Sequence, residues 1–216
     1  MKTPPSLGRP RADRDDTILA LDIATATGWC AGKPSDDRPL WGSHRLRADL
    51  GHAGKLIEWE SFLRERISEI QPKLVVREEP PSIRWGGKKT NANTLLLLNG
   101  LGAKCEEVCA RLKIECKEVG IAQWRKGLGL GKFGKEDRPY PPIEAMAQRG
   151  WLVRDHNCAD AMGVWLFAVA WRAPKLAARH DPLAIRARNN GGRCFVSWGY
   201  CATHMRPALA CAADRQ

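Results

Sequence analysis

The sequence predicts an α/β fold in which a mixed five-stranded sheet is flanked by helices. Three observations carry that expectation. The stretch Thr17–Ala31, TILALDIATATGWCA, opens on the apolar run Ile18–Leu21, a strand in length, and turns near Gly28. The hydrophobic period then changes: Leu56, Trp59 (or Glu60), Leu63, Ile67 and Ile70 recur at helical spacing between about Ala53 and Ile70. Segments that read as strands return at Lys73–Arg77 and Lys113–Val119, each after a helical stretch, which is the order that adds parallel strands to a sheet.

The early strands form a meander. Thr27–Ala31 reads as the second strand and Leu40–Leu46 as the third, with the hairpin-turn composition Gly32-Lys33-Pro34-Ser35-Asp36-Asp37 between them. Pro72 stops the first helix, because proline removes a backbone donor and clashes with the preceding turn. A second helix covers Thr94–Leu112, where Gly100 and Gly102 allow close packing. Gln123–Lys126 reads as a helical turn, Pro141 or Pro142 opens a helix running to Gln148, and Gly150 stops it. In Asp155–Trp171, the residues Ala161, Val164, Trp165, Ala168 and Val169 mark a helix with a broad apolar side, capped by Asp155 or Asn157.

Outside this core the composition shifts. Residues 1–16, MKTPPSLGRPRADRDD, have almost nothing to bury and are expected to be a flexible leader. Residues 17–173 form the domain, and 174–216 read as a basic, poorly ordered tail with no sustained period.

The hydrophobic fraction of 44% is ordinary, but the formal charge of +11 favours a polyanionic partner, nucleic acid first and an anionic membrane surface second. The polar, Pro-rich start lacks the apolar core of a signal peptide, and the apolar run Val164–Val169 is too short to span a bilayer. A soluble cytoplasmic protein is expected. The eight cysteines include no CxxC pair, and Cys194, Cys201, His204 and Cys211 fit none of the usual zinc spacings. Free thiols in a reducing compartment are therefore expected, with Cys105 and Cys109 neighbours on one helix face.

Three acidic points stand against apolar elements: Asp22 after Ile18–Leu21, Glu78 and Glu79 after Leu74–Val76, and Asp155 and Asp160 beside the last helix. A carboxylate against an apolar element is costly unless something satisfies it, so a shared metal site is one reading and solvent-facing element ends the other. Two basic loops accompany them. Pro80–Asn93 sets Trp85, a flat stacking surface, beside Gly86-Gly87 and the phosphate-binding charges Lys88 and Lys89. Residues 121–139 interleave four glycines with Lys126, Lys132 and Lys135 and also carry Arg125. No Walker spacing occurs there, which argues against nucleotide hydrolysis and a nucleotide cofactor.

These motifs, in this order, resemble those of the RuvC-type Holliday junction resolvases, particularly the bacteriophage and prophage branch of the ribonuclease H-like superfamily. The likeness rests on LALDIATATGWC around Asp22, the Pro72-to-Glu78 spacing, EEPPS with a basic Gly-rich loop behind it, and Asn157-Cys158-Ala159-Asp160-Ala161. It covers roughly residues 17–172. The resemblance implies a ribonuclease H-like fold and an endodeoxyribonuclease that resolves four-way junctions as a homodimer. It implies Asp22, Glu78 and Asp160 as ligands of two Mg²⁺ ions, with Mn²⁺ able to substitute. Asp22 would bridge both ions, and Asp155 would complete the cluster or orient water. The family often has an Asp or His three residues before the last ligand, where this chain has Asn157; Asn157, Asp155 or His156 fills that position. Branched DNA is the implied partner, contacted through Trp85, Lys88, Lys89, Arg125, Lys126, Lys132 and Lys135.

Overall fold

The computed structural model describes residues 14–80, 84–85, 88–89, 91–134, 137 and 139–189, with 84–85, 88–89 and 186–189 described as backbone alone. Strands β1 (Ile18–Asp22), β2 (Ala26–Gly32) and β3 (Leu40–Arg45) form the meander, and β1–β2 and β2–β3 both pair antiparallel. Helix α1 (His52–Ile70) leads to β4 (Leu74–Glu78), which pairs parallel with β1. Gln71 ends α1 in the left-handed conformation, and Pro72 bars its continuation.

Beyond β4 lies a two-residue hairpin, β5 (Arg84–Trp85) and β6 (Lys88–Lys89), where the sequence suggests a plain loop. Helix α2 (Ala92–Arg111) and strand β7 (Glu115–Val119) follow, and β7 pairs parallel with β4. The sheet order is β3-β2-β1-β4-β7, so the mixed five-stranded α/β architecture is the one found. Next come α3 (Ile121–Gly127), α4 (Pro141–Ala147) and α5 (His156–Arg172).

Strand alternation divides the core in two. Ile18, Ala20, Leu74, Val76 and Cys30 face α5, packing with Met162, Trp165, Val169 and Trp124. Leu19, Leu21, Val75 and Ala31 face α1 and α2, packing with Trp59, Leu63, Ile67, Leu101 and Val108. The Trp59 indole donates to the Leu101 carbonyl at 2.9 Å, fastening the two helices together. No helix among the described residues is long and apolar enough to cross a membrane.

Ordered contacts reach past residues 17–173 at both ends. At the start, Asp15 accepts from the Ser35 N–H at 2.8 Å and the Ser35 hydroxyl at 2.6 Å, and Arg172 pairs with Asp16 at 3.7 Å. These contacts tie residues assigned to the leader onto the domain. At the end, the chain continues as α6 (Pro174–Ala177), a 3₁₀ turn (Ala178–His180) and α7 (Pro182–Asn189). His180 is the anchor: it is 2% exposed, its ring lies 5.0 Å from Trp165 and 5.9 Å from Trp151, and Nε2 is 2.9 Å from the Pro34 carbonyl. A single aromatic residue in a basic stretch leaves no periodic signal, so the segment reads as tail. Residues 190–216, with Cys194, Cys201, His204 and Cys211, lie outside the described residues.

Candidate active site

Two parallel strands set the first two carboxylates side by side. The β1–β4 register matches Leu21 with Arg77, so the next residues, Asp22 and Glu78, end adjacent strands at the same edge. Asp22 thus terminates β1. Both residues continue an alternation, Ile18–Ala20–Asp22 and Leu74–Val76–Glu78, that faces α5. Glu79 falls on the opposite phase and is exposed, which separates it physically from its neighbour. The carboxyl ends of parallel strands are where α/β sheets ordinarily receive ligands.

Helix α5 supplies the third. Its start packs directly on β2 at Gly28, the register partner of Asp22. A β-carbon at Gly28 would collide with the Asn157 carbonyl, so only glycine permits this approach. Thr27 fixes the intervening turn, its hydroxyl donating to the Ala24 carbonyl at 2.7 Å while fully buried. Asp155 is the helix cap, its carboxylate accepting from the Asn157 N–H at 2.8 Å. Asp160 accordingly sits beyond the first turn, 8% exposed.

Each inner carboxylate is held by a neutral donor. The Trp124 indole donates to Glu78 Oε2 at 2.8 Å. The Tyr140 hydroxyl lies 3.0 and 2.9 Å from the two oxygens of Asp160. Burial and the Asp160 carboxylate push the Tyr140 phenol well above its ordinary value, and the charge of Asp22 adds to the effect. Burial, with Asp155 next and Asp22 contributing, raises the Cys158 thiol to about 11 and keeps it protonated and inert. Asp22 is therefore felt electrostatically both at the start of α5 and at Tyr140. The His156 ring packs on Tyr140 with centroids 4.4 Å apart, which places His156 beside the Tyr140–Asp160 pair.

Trp124 and Tyr140 are the participants that sequence reasoning missed. Trp124 stands on a helix of only seven residues, and Tyr140 lies among prolines at the start of another. Neither setting carries a periodic signal.

The expected DNA contacts divide. Lys126 and Lys132 are exposed. Arg125 instead lies over the Phe133 ring at 3.8 Å and bonds the Phe133 carbonyl at 3.4 Å, so it folds the Gly-rich loop back onto α3. Trp85 and Lys88 are register partners in the hairpin, as are Arg84 and Lys89; these side chains and Lys135 lie outside the described residues.

Carboxylates are hard oxygen donors and suit Mg²⁺, and neither the indole on Glu78 nor the phenol on Asp160 brings an opposing charge. Among the described residues, the group whose ligand atoms all approach within 4.8 Å of one another is a different one, the thiols of Cys105, Cys109 and Cys116. The acidic positions do not form so close a group.

This sheet order, with acidic residues ending the two central parallel strands and a third on the helix packed across them, is the ribonuclease H-like fold. The solved structures it matches are narrower in kind. RuvC of Thermus thermophilus in complex with Holliday junction substrate superposes with a TM-score of 0.56 at 13% identity, covering 71% of this chain and 94% of that one. A second Thermus thermophilus RuvC structure gives 0.55 at 17% identity, with 71% and 94% covered. The yeast mitochondrial Holliday junction resolvase Ydc2 gives 0.53 at 12% identity, with 82% and 86% covered. No protein-family model matches the chain, and no characterised protein resembles it significantly by sequence.

Proposed function

We propose that this chain is a metal-dependent, structure-selective endodeoxyribonuclease that resolves four-way DNA junctions as a homodimer. The observation that carries the reading is the joint placement of Asp22 and Glu78 at adjacent strand ends, on the face to which α5 brings Asp160. The shared fold with resolvase structures and the +11 charge support it.

Asp22, Glu78 and Asp160 would hold Mg²⁺ or Mn²⁺, with Asp155, His156 or the Asn157 amide oxygen completing the set. The bound ions would activate a water for attack on phosphorus and stabilise the departing 3′ oxygen. The chain's own contribution is positioning. Trp124 fixes the orientation of Glu78 and Tyr140 that of Asp160, each without donating a full charge. Lys126, in the last turn of α3, and Lys132, in the loop after it, would engage phosphates, as would Lys88 and Lys89 from the hairpin that follows Glu78 in the chain, where Trp85 would offer a stacking surface.

The test is a comparison of labelled junction, flap and linear duplex in Mg²⁺ or Mn²⁺. Preferential cutting of the junction supports the proposal, and equal cutting of all three removes the substrate claim. A second reading, a DNA-binding protein with a degenerate site, has its own support: Asn157 stands where the family often has an acid, and the Asp155 carboxylate is engaged as a helix cap. Tight junction binding without turnover under either metal would favour it.

A further inference from the structure

On the opposite face of the sheet, three cysteines converge. Cys105 and Cys109 lie one turn apart on α2, fully buried, and Cys116 stands on the edge strand β7, partly exposed. Cys116 pairs with Val75 and shares its phase, which turns it toward α2. The three sulfur atoms all lie within 4.8 Å of one another.

We propose that Cys105, Cys109 and Cys116 bind one thiophilic divalent cation, Zn²⁺ in preference, at a site separate from the carboxylate edge. Two ligands at i and i+4 on a helix and a third from the neighbouring strand make a three-point sulfur set, and soft donors select zinc over Mg²⁺ or Ca²⁺. Three protein ligands leave a fourth position for water, which the partly exposed side of Cys116 can admit. Binding forms three zinc–sulfur bonds, and each sulfur that carries a proton releases it to solvent. Arg77 stands two residues beyond Val75 on the same face and pairs with Glu106 at 2.5 Å and with Glu118.

The site would pin the edge strand β7 to α2. Zinc would therefore act on stability, since binding to the native state alone raises it by mass action.

The test uses the full-length protein, stripped with a chelator and titrated with Co²⁺ as a spectroscopic probe. A thiolate-to-cobalt charge-transfer band that saturates at one equivalent is expected. Cys116→Ser should abolish it, whereas the triple variant Cys194→Ser/Cys201→Ser/Cys211→Ser should retain it. Alkylation of the unmodified protein with and without Zn²⁺, read by mass spectrometry, supplies a check that needs no variant; Cys116, the partly exposed member of the three, should become protected. Absence of the band, its survival in Cys116→Ser, or protection confined to Cys194, Cys201 and Cys211 would overturn the proposal.

Discussion

The Trp124 indole donates to Glu78 Oε2 at 2.8 Å and so ties α3 to the end of the central strand β4. Trp124 is fully buried, and Gly163 on α5 lies so close that a β-carbon there would sit 2.7 Å from the indole ring. One side chain thus sets the spacing between α3 and α5 and the orientation of a proposed metal ligand.

Trp124→Phe keeps most of the apolar volume and removes the donor. It should cost about 2 kcal/mol of stability, because the bond is to a charged acceptor. On the proposed function, Mg²⁺ affinity should fall about 10- to 100-fold, as for loss of a partner that orients a metal ligand. Urea unfolding and Mg²⁺ titration of cleavage measure the two effects separately.

Tyr140 gives the protein an alkaline limb. Its phenol is held well above the ordinary value by burial and by Asp160, so the folded chain binds that proton more tightly than the unfolded one. This contribution is complete below the ordinary tyrosine value, about 10. It is lost as the pH rises beyond that value toward the folded one. Tyr140→Phe should be less stable at neutral pH by roughly 1–3 kcal/mol, since buried Asp160 loses its donor. It should also show a shallower decline above pH ~10. Denaturant midpoints measured across that range provide the check.

Gly28→Ala should be among the most damaging small substitutions. The added methyl meets the Asn157 backbone carbonyl, which cannot rotate away as a side-chain end would. Separation of α5 from β2 should cost about 3 kcal/mol. It should also disturb the approach of Asp160 to the strand edge. Thermal melting reads the first effect, and metal-dependent cleavage the second.

The segment after Ala173 should behave as part of the domain. A chain ending there loses the His180 ring from Trp151 and Trp165 and its contact with the Pro34 carbonyl. Its melting temperature should fall by several degrees, corresponding to about 2 kcal/mol of lost apolar burial. His180→Phe keeps the ring contacts and should lose only the part due to the hydrogen bond, about 1 kcal/mol.

The sheet was legible because its central strands are unbroken apolar runs of strand length, whereas its helices repeat at helical spacing. Ile18–Leu21 and Leu74–Val76 are short apolar runs bounded by turn signals, and Trp59, Leu63 and Ile67 recur at helical spacing. The strand-end positions of Asp22 and Glu78 were legible in the same way, since a carboxylate at the end of such a run stands out. Tyr140, Trp124 and His180 were not, because each acts through one long-range contact from a short or proline-rich element, and such contacts leave no local period. Arg125 was expected at DNA; its stacking on Phe133 depends on how the Gly-rich loop folds back, which composition does not encode.

On the proposed function, the carboxylate edge cuts branched DNA. The most direct measurement maps nick positions on a labelled four-way junction in Mg²⁺, with native protein beside Asp22→Asn, which alters the charge at the end of β1 with little change in shape. The account predicts paired nicks, symmetric across the branch, in two like strands, and none with Asp22→Asn. Unpaired cuts scattered through the arms, or nicks that persist unchanged in Asp22→Asn, would contradict it.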